Sequence, residues 1–563
     1  MSGFRHFLLR AAVAIGPVRA SHRHSVSKRS IAVAAIASLV AQPMAPAVLD
    51  MGVAYAQSQP PAGPATSGVY SGSTSPDARA PGIFSGSGAR AAPGGSIPGS
   101  SSLPDLGDES QSIATPAQER KLGESVVRQI RASGAYLDDP EVNDYLNELG
   151  HRLVAAVPDS SFEFEFFAMA DPSINAFALP GGYIGINTGL MLLTQSESEL
   201  AAVLAHEISH VTQHHFTRSM AGQQRSLLYA LGALALALAA SRTSAGSGGQ
   251  AVAAGVAAAQ GIAIQSQLNY TRENEYEADR IGFQRLDAGK FDVNAMATFM
   301  ERLQRQGRFS EGSAPSYLRT HPVTTERIAE AQSRAYGKPY RQIADSLDFQ
   351  LVRALLRSYM GTPREAVDYF DTSLKEHKYN IEVAARYGLV ASLLRAEKYP
   401  RAKAELATLE KTAAPHPMID AMAGHVYMEA GDLDRAIERF ETALAKYPNK
   451  LQLIYDYPEA LLKAGRAREA AAFLERELAL RPNNGPLHRI TARTYADLGK
   501  KTQQYLHQGE YYAWQGDLKG AVNQLELATK AADADFYQSS VVETRLRALR
   551  RELAEQQALA KNG

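Results

Sequence analysis

The chain has 563 residues, with Lys+Arg and Asp+Glu both totalling 59, so its formal net charge is zero. That balance argues against a general nucleic-acid binder, which carries a basic excess or stripe, and no nucleic-acid partner is expected. There is no cysteine, which excludes thiol catalysis, disulfides, cysteine-ligated metal and a lipid anchor attached through cysteine.

Residues 1–56 read as an export signal with an extended basic region. Arg5, Arg10, Arg19, Arg23, Lys28 and Arg29 precede the apolar run IAVAAIASLVA at 31–41, and Ala54 and Ala56 give an A-x-A cleavage pattern before Gln57. The alternative is a disordered basic tail. Residues 57–112 are rich in Pro, Gly, Ser and Ala. Such a segment cannot bury enough surface to offset its ordering entropy, so a disordered linker is expected.

Order is expected from about residue 115. Val126, Val127 and Ile130 have helical spacing, and DPEVNDYLNELGHRLVAAV places Val142, Tyr145, Leu146, Leu149 and Leu153 on one helix face. FEFEFFAMA (162–170) alternates Phe and Glu, the period of a half-buried strand. INAFALPGGYIGINTGL (174–190) reads as two short strands joined at Pro180-Gly181-Gly182. Ser196 with Glu199 matches a capping box, opening a helix expected to run to about Ser219.

That helix carries His206-Glu207-Ile208-Ser209-His210. Residues i and i+4 share a helix face, so two imidazoles can reach one zinc ion at about 2.0–2.1 Å. Zinc acidifies water, and Glu207 stands where it can take the proton. The bland alternative is a pair of surface or core histidines. Downstream, ENEYEADRIG (273–282) offers Glu275 to complete a His₂Glu site and Asp279 to hold the far ring nitrogen of a ligand histidine. Alone, that acidic run would be a solvated helix face. His210 and His214 also stand at i and i+4, but no Glu follows the first of them. His214 and His215 are read as packing or surface residues.

Two small-residue apolar runs, 227–240 and 251–264, flank SRTSAGSGGQ and suggest a helical hairpin. Neither approaches the roughly twenty residues that cross a bilayer. The hairpin either packs on the protein body or makes peripheral membrane contact. From about residue 345 the pattern is helical and repeats. AEKYPRA, AGDLDRA and AGRAREA end at Ala402, Ala436 and Ala470, 34 residues apart, the period of tetratricopeptide repeats. Weaker units end at Ala366 and, after an irregular gap of 51, at Ala521.

The pairing of H-E-x-x-H at His206–His210 with E-x-x-x-D at Glu275–Asp279 resembles the M48 zinc metallopeptidases. NAFALPGGYIGINTGL and ELAAVLAHEISHVTQHH are similar to the periplasmic branch of that family with C-terminal repeats. The resemblance implies an α+β zincin-like (gluzincin) domain at 113–340 and an all-α tetratricopeptide-repeat solenoid at 345–555. It implies one zinc per chain on His206, His210 and Glu275, with Glu207 as catalytic base and Asp279 in support. Asn175, Ala176 and Phe177 would form a cleft edge on which a peptide substrate lies as an added strand. His321, in RTHPVTTERI, would close over the zinc as a regulatory ligand. The expected function is an exported endopeptidase acting on misfolded or stalled outer-membrane proteins, its repeats binding substrate or the assembly machinery. The alternative is a chaperone or adaptor with a latent protease domain.

Overall fold

The computed structural model describes residues 115–157, 162–219, 271–309, 315–339, 341 and 343–562, all within one compact unit. The expected export signal, linker and hairpin at 227–264 lie outside the described residues. Among the described residues no helix is long and apolar enough to cross a membrane.

Helix α1 (Pro116–Ser133) opens with a reciprocal cap between Thr115 and Gln118 and stops at Gly134, in left-handed conformation at φ 76°. Helix α2 (Pro140–Ala156) is capped by Asp139 and buries Val142, Tyr145, Leu146, Leu149 and Leu153, the face its periodicity predicts. Strands β1 (Glu165–Met169), β2 (Ala176–Leu179) and β3 (Tyr183–Asn187) form a sheet of order β1-β3-β2. β1 runs parallel to β3, and β2 pairs antiparallel from Ala176↔Ile186 to Leu179↔Tyr183. Gly181 and Gly182 have φ of 75° and 90°, the backbone a tight turn requires. β1 is buried on both faces, not one. Phe166 and Ala168 join the core that includes α2, while Phe167 and Met169 pack with Val127 and Ile130 of α1. The Phe–Glu alternation has its last Glu at Glu165, the first paired residue of the strand.

After α3 (Thr188–Leu193), helix α4 (Glu197–Thr212) runs through the core, with Ala201 and Leu204 fully buried. Ser196 Oγ accepts from the Glu199 amide, but the Glu199 carboxylate accepts from Gln195 and not from the cap residue, so half of the expected capping box forms. The helix stops short of Ser219. His214 adopts φ 54°, and helical conformation resumes over 215–219. A helix over 271–288, here α5, precedes α6 (Asn294–Phe309), α7 (Ser316–Thr320) and α8 (Thr325–Tyr336).

From Leu347 the chain is helical, in antiparallel pairs such as Glu382–Arg395 with Tyr399–Thr412 and Pro417–Glu429 with Leu433–Lys446. Ala402, Ala436 and Ala470 are fully buried where paired helices approach. Gly431, Gly465 and Gly499 turn between helices at φ 83°, 75° and 70°. A Cβ on Gly465 would meet nothing within 4 Å, so Gly465→Ala carries backbone strain alone. It should cost about 1–2 kcal/mol, read as a lower urea midpoint at unchanged slope.

The repeats share the peptidase core, which runs from α2 and the sheet to Val426. The first repeat helix, α9 (Leu347–Ser358), begins beside the start of α4. There the buried Glu197 carboxylate accepts from Ser346 Oγ at 2.6 Å and Tyr145 Oη at 3.1 Å. At the other end, the terminal helix (Phe536–Asn562) returns to α1, where Arg128 pairs with Glu552. Arg131 lies 4.4 Å over the Trp514 ring beside it.

Candidate metal centre

Helix α4 carries His206 and His210 on one face, and α5 crosses it closely. A Cβ on Gly282 would come within 3.2 Å of the Ala205 and His206 backbone. The small residue therefore lets α5 approach, and it sets Asp279 and Glu275, one and two turns earlier, against the histidines. His206 Nε2 and His210 Nε2 are 3.0 Å apart. Glu275 reaches each of them at 3.4 Å. His321, which ends α7, brings Nδ1 to 3.3 Å from His206 Nε2 and 2.9 Å from Glu275 Oε1. One donor atom from each of His206, His210, Glu275 and His321 lies within 4.8 Å of the others. Asp279 stands behind His206, 3.0 Å from its Nδ1.

The remaining sequence candidates flank this cluster. Glu207 is fully buried, and neither carboxylate oxygen has a hydrogen-bond partner among the described residues. His321 Nε2 lies 3.7 Å from Glu207 Oε1. Ala176 and Phe177 begin β2, the edge strand beyond β3, and β2 packs along α4. Asn175 precedes them, its Oδ1 also buried without a partner. The backbone of α7 is tied to the same approach, because the Tyr317 amide donates to Ile174 O at 3.1 Å. His321 stacks on the Tyr317 ring at 4.7 Å.

The local field favours positive charge. Burial opposes a charge on His206, yet Asp279 and Glu275 outweigh it and raise its pKa to about 10. Burial pushes His210 down to about 3, and the nearby Glu275 carboxylate offsets only part of that, so the neutral ring offers a lone pair. Burial alone would raise Glu275, but the facing histidines hold its carboxyl well below the usual range. Imidazole and carboxylate donors without thiolate suit a first-row divalent cation. The unpartnered Glu207 carboxylate fits the same reading. A buried carboxylate without a partner is costly, and a cation with its water would give it one.

Two residues of this site escaped the sequence reading. Arg327 clamps Asp279 with two bonds of 2.7 and 2.8 Å and lies 2.8 Å from Glu275. It follows His321 by six residues, with no periodicity to mark it. His215, read as a packing or surface residue, is buried. Its Nδ1 is 2.9 Å from His210 Nδ1, and its Nε2 is 3.1 Å from Glu277 Oε2. Burial lowers its pKa to about 4.

Residues 140–335 match the model of peptidase family M48, and residues 427–494 match a tetratricopeptide repeat. Over 427 residues the chain is 34% identical to a putative beta-barrel assembly-enhancing protease of Vibrio cholerae, covering 75% of this chain and 86% of that protein. The chain belongs to peptidase family M48. A second M48 relative, the beta-barrel assembly-enhancing protease of Escherichia coli, is 32% identical over 457 residues, 80% of this chain and 91% of that one. A mitochondrial metalloendopeptidase of Schizosaccharomyces pombe shares 30% identity over 190 residues, 33% of this chain and 51% of its own length. This M48 chain is thus a metallopeptidase with a zincin-like domain followed by a repeat-bearing helical region, and its four-residue cluster lies inside the matched segment.

Proposed function

We propose that this metallopeptidase is a zinc-dependent endopeptidase exported to the periplasm, where it cleaves misfolded or stalled outer-membrane proteins. The observation that carries the reading is the convergence of His206, His210 and Glu275 beside an unpartnered, fully buried Glu207. The names of the two bacterial relatives support a role in beta-barrel assembly. One zinc per chain would be held by His206, His210 and Glu275. It would supply Lewis acidity, polarising the scissile carbonyl.

The chain's own groups do the rest. Asp279 accepts from His206 Nδ1 and fixes the ring. Glu207 takes a proton from the attacking water as its oxygen bonds to the carbonyl carbon. It then returns the proton to the leaving amine as the C–N bond breaks. The substrate lies along β2 as an added strand, led in past Asn175, Ala176 and Phe177. His321 would hold the metal as a fourth ligand in the resting site. The repeats hold the substrate or dock on the assembly machinery, and residues 227–264 give a peripheral membrane contact.

The purified full chain should contain one zinc. It should cleave a urea-unfolded outer-membrane barrel protein, lose that cleavage to 1,10-phenanthroline and regain it with added zinc. Cleavage that survives complete metal removal would refute the reading. A metal-loaded chain that cleaves nothing but keeps barrel precursors soluble would establish the chaperone alternative.

A further inference from the structure

We propose that His215 and Glu277 form a positioning relay for His210. The inference rests on the metal reading above but concerns residues outside the ligand set.

In an unbroken helix, a residue five positions on would point about 140° away from His210. The break at His214, with φ 54°, turns the chain back. The residue after the break therefore faces the ligand it follows. His210 directs Nε2 toward the donor cluster, which leaves Nδ1 as the ring's hydrogen donor. That N–H donates to His215 Nδ1 at 2.9 Å. His215 then carries its single proton on Nε2 and donates it to Glu277 Oε2 at 3.1 Å. Arg218 donates to the same oxygen at 2.9 Å, answering the carboxylate charge near the surface.

Every nitrogen in this chain has one complementary role: a proton on His215 Nδ1 would instead face the N–H of His210 and would turn the Nε2 lone pair on the Glu277 carboxylate. The relay therefore fixes which nitrogen of His210 keeps its lone pair and which way the ring points. A partner on the far side of a ligand imidazole raises its basicity and locks its orientation. His206 has the same device in Asp279, so both histidines of the motif are held from behind. Asp279 acts directly, whereas for His210 the carboxylate acts through a second imidazole.

The test uses the full chain and reads zinc affinity by competition with a chromophoric chelator, beside the melting temperature of the metal-free protein. His215→Leu fills the space but cannot accept a hydrogen bond. It should weaken zinc binding about ten- to a hundredfold with little change in the metal-free melt. His215→Gln, which can accept from His210 and donate to Glu277, should recover most of the loss. In the cobalt-loaded protein the visible bands should shift for His215→Leu and return for His215→Gln. A structural role alone would not produce that pattern. Should His215→Leu fail to fold, Glu277→Leu serves instead, with a several-fold loss expected. Zinc affinity within twofold of the parent in the folded variants overturns the relay. His210→Ala separates the two readings: undiminished zinc binding there would overturn the metal assignment itself.

Discussion

Glu207→Gln should lower cleavage by about 10²–10⁴-fold, the range a positioned general base contributes, while leaving zinc content unchanged. The same substitution should make the metal-free protein more stable. The Glu207 carboxylate is fully buried and neither oxygen has a hydrogen-bond partner among the described residues. An unsatisfied buried group of this kind costs about 1–3 kcal/mol, more when charged. The amide keeps the shape and removes the charge. Melts in chelator should therefore move up as turnover collapses, the trade expected where a site is built for chemistry and not for stability. Turnover near that of the parent would remove Glu207 from the reaction. A lowered melt would mean its carboxylate has a structural partner.

Arg327→Leu should destabilise the chain by about 3–5 kcal/mol, the cost of stripping one partner from a buried ion pair. Arg327 is 4% exposed. Its guanidinium holds Asp279 through two bonds, approaches Glu275 and donates to Pro322 O at 2.8 Å. Removing it leaves two buried carboxylates on one helix with no cation between them and the segment that follows His321. The double variant Arg327→Leu with Asp279→Asn should lose less than the sum of the single changes, because the two act on one interaction. Urea titration reads both. A single-variant loss under about 1 kcal/mol would class the pair with surface bridges and defeat the argument.

Much of this centre was legible because its arithmetic is local. His206 and His210 are four residues apart on a helix whose cap and apolar flank are visible in the sequence, and Glu275 with Asp279 repeats that spacing on a second helix. His215 and Arg327 were hidden for different reasons. His215 reaches His210 only because the backbone leaves the helix at His214, and no residue type there forces a break. Arg327 acts across the fold, at a sequence separation of 48 from Asp279. The strand β1 was located, but its second buried face depends on α1 closing over it, which periodicity cannot report.

The repeats show the same division. Ala402, Ala436 and Ala470 are confined to small residues by the approach of paired helices, so the period stands out. The next position in register is Gln504, half-buried, and the pair Gly485–Asp497 with Lys501–Trp514 vanished into the gap of 51. Its turn glycine, Gly499, keeps the 34-residue step from Gly465 and was the signal that remained.

The contact between α1 and the terminal helix also constrains the order in which the molecule can be finished. Arg128 and Glu552 are 424 residues apart. At ribosomal rates of about 5–20 residues per second, the later partner emerges on the order of a minute after the first. Until then α1 rests on the sheet, through Val127 and Ile130 against Phe167 and Met169 and through Arg120 at the Gly181 turn and the Tyr183 ring. A newly made chain thus passes through a period in which α4 can be folded while the surface of α1 that receives the Phe536–Asn562 helix stands open. The fold around α1 is therefore closed only after the peptidase and repeat segments that precede the Phe536–Asn562 helix have been made.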